Sequence, residues 1–182
     1  MPWDKELCAT FYLAHPPVPG PRGRLLAQLD QVGVTEVSVE WSVIEHEQVS
    51  GRWAGVSVEI RDRALEIFRA VTLVFPDAAA DRAGGRPAFW AEVTESFRVA
   101  CEGLRPAAAF VTDLAGPDVD QLVADREQWL VDANPVPLLH DGFALLHLSD
   151  TWFPDLDSFL RGLPYRRIPL AGGPLLVGVE SA

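Results

Sequence analysis

The chain has 182 residues, 48% of them hydrophobic and 23% charged, and a formal net charge of −11. That length and apolar content suffice to bury a core without disulfide or metal staples, which excludes the disordered and low-complexity classes and predicts a single α+β domain over residues 1–182. The excess of acid repels phosphates and anionic lipid headgroups, so neither nucleic acid nor a membrane surface is expected as a partner.

The opening residues, Met1-Pro2-Trp3-Asp4-Lys5-Glu6, lack a basic stretch followed by an apolar one. No apolar run approaches the roughly 18 residues of a membrane span, so a cytoplasmic location is expected. Leu7 to Ala14 then reads as a strand apolar on both sides, since Leu7, Ala9, Phe11 and Leu13 alternate with Cys8, Thr10, Tyr12 and Ala14. The Pro-rich segment 15–21 breaks it. A helix follows, with Leu25, Leu26, Leu29 and Val32 on one face and Gly33 closing it.

Val37, Val39 and Trp41 alternate with Glu36, Ser38 and Glu40, the pattern of a half-exposed strand. Ser42 to Gly55 is polar, contains Ser50-Gly51, and reads as a loop or hairpin connection. Val56, Val58 and Ile60 resume the alternation. Asp62-Arg63 predicts a weak turn, with a second strand from Leu65 to Phe75. A helix over Asp62 to Ala70 competes with that reading, but the β-rich Val71-Thr72-Leu73-Val74-Phe75 favours the hairpin.

After a loop over 76–86, Pro87 opens an amphipathic helix with Trp90, Val93, Phe97, Cys101 and Leu104 on one face, ended by Pro106. Ala107 to Thr112 predicts a short buried strand, and Asp113 to Pro117 a turn. A helix with Val119, Leu122, Val123, Trp129 and Leu130 inward follows, stopped by Asn134-Pro135. Asp141-Gly142 between apolar runs predicts a tight hairpin of Leu138–His140 with Phe143–Leu148, because both central residues need φ > 0. Asp155 to Leu160 reads as a short helix. Arg167–Leu170, Gly172-Gly173 and Leu175–Glu180 read as a closing hairpin. The fold expected is α+β: a mixed or mainly antiparallel sheet, two or three helices packed on one face, and a first half resembling a split β-α-β unit.

The negative charge is concentrated. Between Asp113 and Asp157 stand ten acids and one base, Arg126, a net of −9, whereas the remaining 16 acids and 14 bases leave only −2. One function of such a segment is solvation; the other is to steer a basic protein partner by its single-sign field. Asp118, Asp120, Asp150, Trp152 and Asp155 are the candidate partner-binding residues, with Trp152-Phe153 an aromatic pair set among acids. A buried, loop-anchoring Trp152 is the competing reading, and helix capping is the simpler role for Asp155.

No motif for chemistry emerges. His15, His46, His140 and His147 lack the companions that zinc would need. Glu45-His46-Glu47 places adjacent side chains on opposite faces of an extended chain. Asp150, Asp155 and Asp157 lack the spacing of a calcium loop. There is no nucleophile elbow, and neither Gly84-Gly85 nor Gly172-Gly173 continues as a phosphate loop. Cys8 and Cys101 read as core residues. No cofactor and no metal are therefore expected. The function predicted is a non-enzymatic acidic protein-binding domain, of the toxin-neutralising immunity type or a regulatory inhibitor of a basic protein. The alternative is a small-molecule enzyme or ligand-binding domain with a pocket beside the sheet.

Overall fold

The computed structural model describes residues 6–14, 29–41, 47–64, 68–76, 85–114, 128–136 and 143–178. They form strands β1 (Glu6–Ala14), β2 (Thr35–Trp41), β3 (Glu47–Trp53), β4 (Val56–Ala64), β5 (Phe68–Val74), β6 (Ala108–Leu114), β7 (Leu145–Leu148), β8 (Tyr165–Ile168) and β9 (Leu175–Gly178). The helical elements are α1 (residues 29–32), α2 (Gly85–Leu104), α3 (Gln128–Val131) and α4 (Leu156–Leu160). One nine-stranded sheet runs in the order β2-β3-β4-β5-β1-β6-β7-β9-β8, every pairing antiparallel.

β1 lies between β5 and β6, which explains why its sequence is apolar on both sides. Leu7, Ala9, Phe11 and Leu13 enter one core with Leu29 and Val32 of α1 and Phe89, Val93, Phe97, Ala100 and Cys101 of α2. Cys8 and Tyr12 enter a second core, on the opposite face, with Trp129 and Leu130 of α3 and Leu156 of α4. The expectation of helices on one face is thus corrected: α1 and α2 cover one side of the sheet, α3 and α4 the other. A strand with no polar side needs both covered, or one row of its side chains would face water. Within that second row, Thr10 bonds the hydroxyl of its cross-strand neighbour Thr72 at 3.0 Å, both buried.

In the first half, the separation between β1 and β2 is wider than the single strand of a simple split β-α-β unit. Three strands, β3 to β5, separate β1 from β2, because β2 to β5 run as a meander whose last strand returns to β1. Within that meander, 47–53 is a strand rather than the expected loop. Ser50-Gly51 is no turn: Gly51 is buried, and a Cβ there would stand 2.6 Å from Val34 Cγ1, so the glycine marks close packing. The turn comes four residues later, where Ala54 (φ 50°) and Gly55 (φ 73°) join the paired residues Trp53 and Val56. Trp53 is buried and donates its indole N–H to Val32 O at 2.9 Å, tying α1 to the sheet.

β4 continues through Asp62-Arg63 to Ala64, so the turn predicted at Asp62-Arg63 is corrected to strand; residues 65–67 lie outside those described. Asp62 instead forms a bidentate ion pair with Arg69 of β5. The β4–β5 hairpin itself stands as expected, in place of the competing helix. α2 has the predicted face, with Val93, Phe97 and Cys101 buried and Trp90 and Leu104 partly so. Arg105 (φ 47°) supplies the left-handed residue that ends it before Pro106.

β6 runs two residues further than expected, to Leu114. Asp141-Gly142 and Leu138–His140, where a tight hairpin is expected, lie outside the described residues. β7 itself pairs with β6 on one edge and with β9 on the other. The closing hairpin of β8 and β9 stands, with Pro169 and Pro174 just outside the two strands, where no ladder bond is lost.

Candidate functional site

α3 and the segment 149–160 form the outer layer on the second face of the sheet. Aromatic residues lock it there. Trp129 stacks on Phe153 with centroids 6.0 Å apart and 14° between planes, and meets Tyr12 of β1 edge-on at 5.8 Å. Trp152 donates its indole N–H to Leu130 O at 2.7 Å and meets Phe68 edge-on at 4.7 Å. Of the sequence candidates, Trp152 is therefore half-buried, its polar end satisfied and its ring in contact with the core.

The acids decorate the outside of this layer. Asp132, Asp150, Asp155 and Asp157 are exposed. Asp132 accepts a hydrogen bond from the Gln128 amide at 2.9 Å, and Asp157 pairs with Arg167 of β8. Asp150 and Asp155 form no side-chain hydrogen bond or ion pair with any described residue. Asp155 does occupy the N-cap position of α4, yet its carboxylate makes no capping bond, so the expected cap is corrected: the main-chain carbonyl serves instead, accepting from Ser158 N at 2.9 Å. Asp118 and Asp120 lie outside the described residues. The candidate set is thus brought together in part: Asp150, Trp152 and Asp155 share one anchored segment.

Beside the acidic layer lies a feature that sequence reading missed. Between α4 and β8 a cavity of about 370 Å³ opens to solvent, with Leu176 of β9 in its lining together with Leu160, Leu163 and Tyr165. Asp157, Arg161 and Arg167 supply its charges. Arg161, Arg166 and Arg167 form a basic cluster immediately after the acidic segment, and that change of sign was the available signal. The apolar lining comes from three separate elements, which no local pattern connects.

Two buried titratable groups among the described residues are strongly perturbed, and neither lines this cavity. His147 on β7 is 1% exposed, and burial lowers its pKa to about 4. Its Nδ1 lies 3.2 Å from the Pro174 carbonyl, so Nδ1 carries the proton, and Nε2 is buried without a partner. Cys101 is buried in α2, where desolvation pushes the thiol pKa well up and keeps it protonated. Cys8 and Cys101 form no disulfide and belong to the cores on opposite faces of the sheet. Among the described residues no group of three or more His, Cys, Asp or Glu is placed to hold a metal ion. Nor is any helix among them long and apolar enough to cross a membrane.

No family model matches the chain, and no curated protein matches it. Among solved structures, Pseudomonas aeruginosa T6SS protein PA0821 is similar at 12% identity and a TM-score of 0.47. The match covers 94% of this chain and 64% of that one, so the chain spans less than two thirds of its neighbour's length.

Proposed function

We infer that this chain is a non-enzymatic, protein-binding domain whose acidic layer engages a basic protein, as an immunity-type neutraliser of a toxin or a regulatory inhibitor would. The observation that carries this reading is the pair Asp150 and Asp155: exposed, unpaired among the described residues, and held on a layer that Trp129 and Trp152 anchor. Carboxylates that serve the fold pair with arginines or bond the N–H groups of a helix end, and among the described residues neither of these two side chains does so. Fixed on a rigid layer within a stretch of net −9, they contribute to a field that attracts a cation before contact and orients it on arrival. The groups with perturbed pKa values, His147 and Cys101, lie apart from the open cavity, an arrangement that favours binding over acid–base or nucleophilic chemistry.

The test is affinity capture from native lysate on the immobilised chain, eluted by a salt gradient and identified by mass spectrometry. The reading expects one or a few basic proteins, released by salt. Retention of acidic proteins, or of partners that salt does not release, contradicts it.

A further inference from the structure

We propose that the outer edge of β8 adds an extended segment of another protein as a tenth strand, one whose residues alternate apolar and acidic. This site is separate from the acidic layer and goes beyond the reading of that layer.

β8 is the last strand of the sheet, so alternate N–H and C=O groups along Tyr165–Ile168 point away from β9. No described residue pairs with that edge. Its backbone supplies main-chain affinity, and its two faces supply the selectivity.

On one face stand Tyr165 and Arg167, beside the cavity with Leu160, Leu163 and Leu176. Arg167 is already neutralised there by Asp157. On the other face stand Arg166 and Ile168, and Ile168 packs on the core beneath α2. Arg166 is exposed and has no partner among the described residues. An added strand alternates in step with β8, so its side chains over the cavity meet Leu160, Leu163 and Leu176, and those on the other face meet the Arg166 guanidinium, which has no partner among the described residues. Apolar residues alternating with glutamate or aspartate satisfy both faces.

A second copy of this chain is a poor occupant. A symmetric antiparallel pairing of two β8 edges centres on Arg166 or on Arg167, and sets that guanidinium opposite its own equivalent. At the other end of the sheet, β2 carries a register irregularity between Thr35 and Ser38, with Glu36 at φ 51°, the kind of distortion that blunts an edge. No such irregularity interrupts β8.

The probe is a fluorescein-labelled synthetic peptide, Ser-Glu-Leu-Glu-Leu-Glu-Ser, followed by fluorescence anisotropy with the whole chain. Two relatives accompany it, one with lysine for each glutamate and one with alternate backbone nitrogens methylated. Saturable binding of the acidic peptide is expected, with neither relative binding. Arg166→Glu, an exposed change, should weaken the acidic peptide by about fivefold or more. Asp150→Asn with Asp155→Asn should leave it bound, which separates failure here from failure of the acidic-layer reading.

Several outcomes overturn the proposal. The acidic peptide does not bind, or its N-methylated form binds as well as the parent. Octanoate displaces the peptide while Arg166→Glu has no effect, making the cavity a small-molecule site. The chain sediments as a dimer that Arg166→Glu dissociates, placing a second copy on the edge.

Discussion

The indole N–H of Trp152 reaches the main-chain carbonyl of Leu130 at 2.7 Å and so joins the two segments that carry the exposed acids. The bond satisfies a carbonyl at the end of α3 and fixes the angle between α3 and the 149–160 segment. Trp152→Phe keeps most of the ring contact with Phe68 and loses the bond, which should cost about 1 kcal/mol. Trp152→Ala removes both and should cost about 3 kcal/mol. Urea unfolding followed by circular dichroism measures the two. Equal losses would mean that the hydrogen bond carries the anchoring and the ring contributes nothing.

Gly173 makes the tightest approach in the same region. Its φ is +140°, and a Cβ there would stand 2.1 Å from Leu148 O and 3.0 Å from Asp150 N. Both clashing groups are backbone, so neither can swing aside. Gly173→Ala should lower stability by about 2 kcal/mol or more, through steric overlap and backbone strain together. It should also disturb the Asp150 N to Gly172 O bond of 3.1 Å. A melting temperature unchanged by the substitution contradicts this packing.

His147 makes stability depend on pH. Its pKa falls from the ordinary 6.5 to about 4 because burial penalises the imidazolium, while the Pro174 carbonyl and Asp150 act weakly the other way. The unfolded chain therefore takes up a proton near 6.5 that the folded chain refuses until about 4. Stability is fully present above that upper value and falls as pH drops through the window, by a few kcal/mol at most. His147→Gln should flatten this part of the profile, leaving only carboxylate titration. Denaturant midpoints from pH about 7 down to about 4 compare the two proteins. Parallel curves would show that His147 is charged when folded or exposed.

How much of this was legible in the sequence depends on how local each determinant is. β1 and the buried face of α2 could be read from their own periodicity, since each is decided by residues within one element. The two-sided apolarity of β1 also implied two covered faces, but the side that each helix takes is set by which row of β1 it meets. Ser50-Gly51 looked like a turn and proved to be a place where β3 passes close to Val34, with Gly51 and Val34 seventeen residues apart in sequence. The flanking of β7 by β6 and β9 is likewise set by pairings between segments far apart in the chain. In the site, the acidic stretch and its aromatic pair were visible; the use of Trp152 as an anchor and the cavity at β8 were not, because each depends on elements far apart in the chain.

The central claim is that the acidic layer steers a basic partner. It is tested most directly by stopped-flow association of the captured protein with the wild-type chain and with the triple variant Asp118→Asn, Asp120→Asn, Asp150→Asn, over a range of salt. Rim charges act across a Debye length of roughly 8–10 Å before contact. The wild-type association rate should therefore fall as salt rises, and the variant should start slower and depend less on salt, with dissociation changed less than association. Folding stability should be almost unaltered, since separated surface carboxylates in general gain little from a fold. An association rate indifferent to salt and to the three substitutions would contradict the account and leave the acids as a solvating face.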